Sequence, residues 1–102
     1  MLFNYKNVDF DIDEIQISEE RAKEIGNIII DSANSSNAEI YEINMEDETF
    51  FSVYLEKKGD KNEWDKETND FIENLQNKTD FSAMYADEDY GDCFDVVLIY
   101  ND

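Results

Sequence analysis

The run from Cys93 to Tyr100, CFDVVLIY, most constrains how this chain can fold. It is the most apolar and β-prone stretch of the sequence, so it belongs inside a sheet. Just before it, Asp87, Glu88, Asp89, Tyr90, Gly91 and Asp92 place four carboxylates and a tyrosine in one loop. From Thr79 to the end there is no lysine or arginine. A strand that needs burial therefore carries a loop that needs water and stays negative.

The rest of the chain supplies partners for that strand. Residues 1–13 read as one strand or two short ones, with Val8, Phe10 and Ile12 alternating with Asp9, Asp11 and Asp13. That period sets the aspartates on one face, about 6.6 Å apart. Ser18 is a suitable N-cap for a helix from Glu19 to Ala33, with Ala22, Ile25, Ile28, Ile29 and Ala33 at helical spacing. Residues 38–45 and 49–57 read as a hairpin joined by the acidic tip Glu46, Asp47 and Glu48. Its second arm points Phe51, Val53 and Leu55 one way, and Phe50, Ser52, Tyr54 and Glu56 the other.

Asp60 or Asn62 caps a second helix whose buried stripe is Trp64, Thr68, Phe71, Ile72 and Leu75, with Trp64 as a core anchor. Residues 81–86 and 92–100 form the last hairpin, and Cys93 packs as a small hydrophobe beside the sheet. A helix followed by a hairpin with an acidic tip thus occurs twice. The order βαββαββ predicts an α+β fold, a two-layer sandwich with a mainly antiparallel sheet of about five strands and both helices on one face. A ferredoxin-like core with an added strand is a candidate topology. At 102 residues the chain is one domain, 1–102, able to bury roughly 60–70% of its unfolded surface.

Charge is the outlier. With 27 acidic against 8 basic residues, the net charge is −19. On so small a body this means self-repulsion, and it makes nucleic acid or anionic membrane an unsuitable direct partner. Solubility or adaptation to high salt is one reading of such a surface. Attraction of a basic protein is the other. No apolar run approaches the ~20 residues that span a bilayer, and the N-terminus shows no basic-then-apolar signal pattern, so a cytoplasmic location in a bacterial host is expected. The single cysteine fits a reducing compartment.

Catalysis is not expected. There is no histidine, and one cysteine without histidine leaves the usual zinc sets and a Cys–His dyad unavailable. The three glycines are isolated, so no phosphate-binding loop exists. Asp9, Asp11, Asp13 and Glu20 have the oxygen spacing of an EF-hand loop, but Glu14 stands where that loop needs glycine. No cofactor and no metal ligand set is assigned.

What remains is a protein ligand. Asp9, Asp11 and Asp13, then Glu46, Asp47 and Glu48, then Asp87, Glu88, Asp89, Tyr90, Asp92 and Asp95 are the candidate contacts for lysine and arginine side chains. Phe50, Tyr54 and Tyr100 are candidate aromatics on the sheet face away from the helices, or part of a homodimer face. In size and composition the chain resembles the small acidic inhibitors of phages and mobile elements, among them anti-CRISPR and anti-restriction proteins that mimic DNA. That resemblance implies a stoichiometric inhibitor seated in the basic nucleic-acid-binding site of a DNA or RNA enzyme. An immunity protein neutralising a nuclease toxin is the alternative, and a calcium-binding or adaptor domain the third.

Overall fold

The computed structural model describes residues 1–86 and 93–101. Within them the chain forms β1 (Leu2–Tyr5), β2 (Val8–Ile12), α1 (Glu19–Ser35), β3 (Ile40–Met45), β4 (Phe50–Glu56), α2 (Lys61–Lys78), β5 (Ser82–Tyr85) and β6 (Phe94–Tyr100). The six strands make one sheet in the order β1-β2-β3-β4-β6-β5, antiparallel except for the β2–β3 pair. Both helices pack on one face of it, giving the expected two-layer α+β sandwich. Ala22, Ile25 and Ile29 of α1 share one apolar cluster with Phe71 and Leu75 of α2 and with Phe10, Ile43, Phe51, Val53, Val97 and Ile99 of the sheet.

Residues 2–12 form two strands because Lys6 and Asn7 both take positive φ, 53° and 65°, and fold β1 back onto β2 in a two-residue hairpin turn. Among the described residues the sheet therefore has six strands, in keeping with the expected mainly antiparallel sheet of about five. The helices obey their local signals. The Ser18 side chain accepts from the Arg21 N–H at 3.1 Å, and Asp60, the first of the two candidate caps, accepts from the Glu63 N–H at 3.0 Å. α1 runs on to Ser35, where the hydroxyls of Ser35 and Ser36 donate back to the carbonyls of Asp31 and Ser32.

The strand order differs from a ferredoxin-like core. That topology needs both strand–helix–strand crossovers split by an intervening strand. Here β2 and β3 are direct parallel neighbours, and only the β4–α2–β5 crossover leaves a gap. The last strand fills it. β6 pairs along its length with β4 and on the other side with β5, which is why CFDVVLIY had to be so apolar. Asp95 is the polar exception. It faces the helices, is 8% exposed, and accepts hydrogen bonds from Thr68 Oγ1 of α2 at 3.0 Å and from the Tyr85 hydroxyl of β5.

Cys93 and Trp64 lie elsewhere than the sequence suggested. Cys93 is exposed, one residue ahead of β6, where its carbonyl accepts the Lys57 N–H at 3.0 Å. Trp64 is half-buried at the start of α2, beneath Lys57, whose Nζ lies 5.8 Å from the ring centroid. The fully buried part of the stripe begins one turn later, at Thr68.

Candidate functional site

Among the described residues no helix covers the other face of the sheet, and the residues of that face follow from the register. One row crosses the strands as Asn4, Asp9, Glu42, Tyr54 and Val96; the next as Leu2, Asp11, Asn44, Ser52, Leu98 and Met84. The carboxylates Asp9, Asp11 and Glu42 lie over β2 and β3, and the rows end on the apolar side chains of Val96, Leu98 and Met84 over β6 and β5. The sheet thus presents an acidic half beside an aromatic one.

A bulge shapes the join between them. β3 advances from Ile40 to Glu42 while β4 moves one place, from Leu55 to Tyr54. The extra residue, Tyr41, comes out on the open face with Glu42 beside it, and Ile43 returns to the core. Tyr41 stacks on Phe94, with centroids 4.6 Å apart, and Tyr54 meets Phe94 edge-on at 6.4 Å. Farther along, Phe50 packs on Tyr100 at 5.1 Å. Val96 is 4% exposed although it stands apart from the interior cluster. Tyr54 stands directly across from it on β4.

In the acidic half, Asp9 and Asp11 are exposed, and Asp9 Oδ1 accepts from Asn4 Nδ2 at 3.0 Å. Partial burial holds the Glu42 carboxyl above its ordinary range, reinforced by the charges of Asp11 and then Asp9, while the Asn44 amide offsets part of this. Asn44 Oδ1 is buried with no hydrogen-bond partner among the described residues. Asp11, Asp13, Asn44, Glu46, Ser52 and Tyr54 line an open cleft of about 480 Å³. The carboxylates form a row and do not converge: among the described residues no three acidic or cysteine side chains are grouped to hold a metal ion.

The cations sit elsewhere. None of the described strands contains lysine or arginine; the eight basic residues all fall in helices, turns or loops. Arg21 pairs with Glu24 and Glu48, Lys58 with Glu39, Lys61 with Asp65, and Lys66 with Asp70. Lys23 lies 5.8 Å and 5.4 Å from the ring centroids of Phe3 and Tyr5.

The candidate contacts separate accordingly. Asp9, Asp11 and Glu46 are exposed and belong to the open face or its rim. Asp13 lies past the end of β2, where its Oδ1 accepts the Ile15 N–H and holds a turn. Asp47 builds the β3–β4 tip, accepting from the N–H groups of Thr49 and Phe50 and from the Thr49 hydroxyl, and those bonds hold its carboxyl below the usual range. Glu48 is tied to Arg21. Asp87, Glu88, Asp89, Tyr90 and Asp92 lie outside the described residues. Asp95 is corrected from surface contact to interior acceptor, since residue 95 falls on the helix side of β6.

Phe50, Tyr54 and Tyr100 are on the open face, as their alternation predicts. Tyr41, Glu42, Asn44, Phe94, Leu98 and Met84 were missed. The available signal was the spacing of Ile40 and Ile43, three apart in a run that otherwise alternates by two.

No family model, curated protein or solved structure matches the chain. Among the described residues, no helix is long and apolar enough to cross a membrane.

Proposed function

We propose that the protein is a stoichiometric inhibitor whose open sheet face occupies the cationic nucleic-acid-binding site of a DNA or RNA enzyme, in the manner of anti-CRISPR and anti-restriction proteins. The observation that carries this reading is the distribution of charge. A net −19 body keeps its cations in helices, turns and loops, and leaves a sheet face that no described helix covers, with carboxylates beside the exposed Tyr41 and the half-buried rings of Phe50, Tyr54, Phe94 and Tyr100. A nucleic-acid site is lined with lysine and arginine to neutralise phosphates, and carboxylates offer the same sign of charge on a fixed frame. Long-range attraction raises the on-rate, and aromatic anchors slow dissociation. Self-association through this face brings like charges together, which argues for a different protein as its occupant.

The test is competition. Capture from host lysate at low and moderate salt identifies the bound enzyme. A labelled duplex is then titrated against the pair. The inhibitor reading expects mutually exclusive binding at one-to-one stoichiometry, with affinity falling as salt rises. A ternary complex in which the duplex stays bound would sink it. Capture of a dedicated nuclease toxin with its catalytic site blocked would replace it with the immunity role.

A further inference from the structure

We infer that the join between the two halves of the open face, where Glu42 meets the rings of Tyr41, Phe94 and Tyr54, is a seat for an arginine side chain of the partner. This deepens the reading above and rests on it, because it takes the occupant of the face to be a basic protein.

The chemistry of the join selects the cation. Glu42 follows Tyr41 in the bulge and stands directly across from Tyr54. A charged group there meets a carboxylate on one side and aromatic surface on the other. A guanidinium is planar, weakly hydrated, and able to stack on a ring while its edge donates two parallel hydrogen bonds to a carboxylate. An ammonium is a strongly hydrated point charge that loses more water on entering such a place. Tyr41 is 46% exposed, so its ring is accessible to an incoming side chain. Asn44 Oδ1, next to Glu42, is buried without a hydrogen-bond partner among the described residues, and a turn of that side chain would bring it to the seat as a further acceptor. The five donors of a guanidinium match Glu42 and Asn44 together. Half-buried and pressed by Asp11 and Asp9, the Glu42 carboxylate is better neutralised by an added cation than left facing its neighbours.

The test uses two short synthetic peptides, one alternating arginine with leucine and one alternating lysine with leucine, titrated into the full chain while amide chemical shifts are followed. The arginine peptide is expected to bind about tenfold more tightly than the lysine peptide. Its shifts should centre on Tyr41, Glu42, Asn44, Tyr54 and Phe94. Tyr41→Leu and Glu42→Gln should each cut the preference to about twofold or less, whereas Glu73→Gln, which removes the same charge from the exposed side of α2, should leave it intact. The amide spectrum reports whether each variant folds; where Tyr41→Leu does not, Glu42→Gln decides alone.

Equal affinity for the two peptides, or a preference that survives both substitutions, overturns the seat. The two proposals fail separately. An arginine preference without displacement of nucleic acid from any captured enzyme leaves the seat and removes the inhibitor role. Displacement that neither substitution weakens leaves the role and removes the seat.

Discussion

Gly26 and Phe10 are in contact through an atom that Gly26 lacks. A β-carbon built on Gly26, in the middle of α1, would lie 2.5 Å from Cζ and 2.6 Å from Cε2 of the Phe10 ring on β2. That ring has little room to retreat: it is fully buried, stacked on Phe3 at 5.0 Å and met edge-on by Tyr5 at 6.2 Å. Gly26 sets how closely the helix lies on the sheet. In an open helix, Gly→Ala would stabilise by up to about 1 kcal/mol. Here overpacking costs roughly 1–3 kcal/mol and outweighs that gain. Urea denaturation of Gly26→Ala is expected to show a net loss of about 1–2 kcal/mol. The loss should shrink when Phe10→Leu is already present, because the two changes share one contact. A more stable Gly26→Ala variant would mean that the ring has space to move.

Tyr85 and Asp95 give an alkaline signature. The Tyr85 phenol donates to Asp95 Oδ2, which also accepts from Thr68. Burial first, then the Asp95 carboxylate, raises the phenol's pKa well above its ordinary value of 10.0. The folded state therefore keeps a proton that the unfolded chain gives up. Stability from this source is whole below pH 10 and is lost as pH climbs beyond it. Denaturation midpoints of the wild type should fall between about pH 9 and pH 11, and those of Tyr85→Phe should fall less steeply. At neutral pH, Tyr85→Phe removes one hydrogen bond to a buried carboxylate, at a cost of about 1–2 kcal/mol.

What was legible in the sequence is what local periodicity dictates. Val8, Phe10 and Ile12 alternate with acids, and the strand buries them in that pattern. Ser18 and Asp60 cap the helices they precede. Nothing local states that β6 enters between β4 and β5, since that depends on which edge the β5–β6 hairpin joins. Asp95 illustrates the same limit. Alternation from Phe94 to Ile99 sets it on one side of the strand, but only tertiary packing brings Thr68 and Tyr85 to meet it. The acidic half of the site was readable from Asp9 and Asp11. In the aromatic half Phe50, Tyr54 and Tyr100 were readable by alternation, whereas Tyr41 was hidden because the bulge resets the alternation that identifies faces.

Salt should stabilise this fold, and without ion specificity. The molecule measures 39 × 27 × 25 Å and carries a net charge of −19. At 0.01 M ionic strength the screening length of about 30 Å spans most of that body; at 0.15 M it is about 8 Å and only near neighbours repel. Thermal unfolding should shift upward by on the order of 5 °C between the two, equivalent to about 1 kcal/mol. Sodium and tetramethylammonium chlorides at equal ionic strength should act alike if screening is the cause. A rise seen with sodium alone would indicate a bound cation instead.

Glu42→Gln separates the requirements of the fold from those of the face. In the unfolded chain this carboxyl titrates near its ordinary value of 4.5; in the fold, burial and then Asp11 and Asp9 hold it higher. Below 4.5 it is protonated in both states and costs nothing. As pH rises through the folded value, ionisation is penalised only in the fold, and stability is lost. Glutamine never ionises, so Glu42→Gln should be the more stable protein at pH 7, with the gap closing near about pH 4. Urea midpoints at the two pH values measure this directly. The same substitution should weaken the arginine peptide, because it removes the charge that a guanidinium would neutralise. Greater stability together with weaker binding would mean that Glu42 is kept ionised for a partner, at the expense of the free protein. Unchanged stability at both pH values would mean that solvent, and not the neighbouring strands, governs its charge.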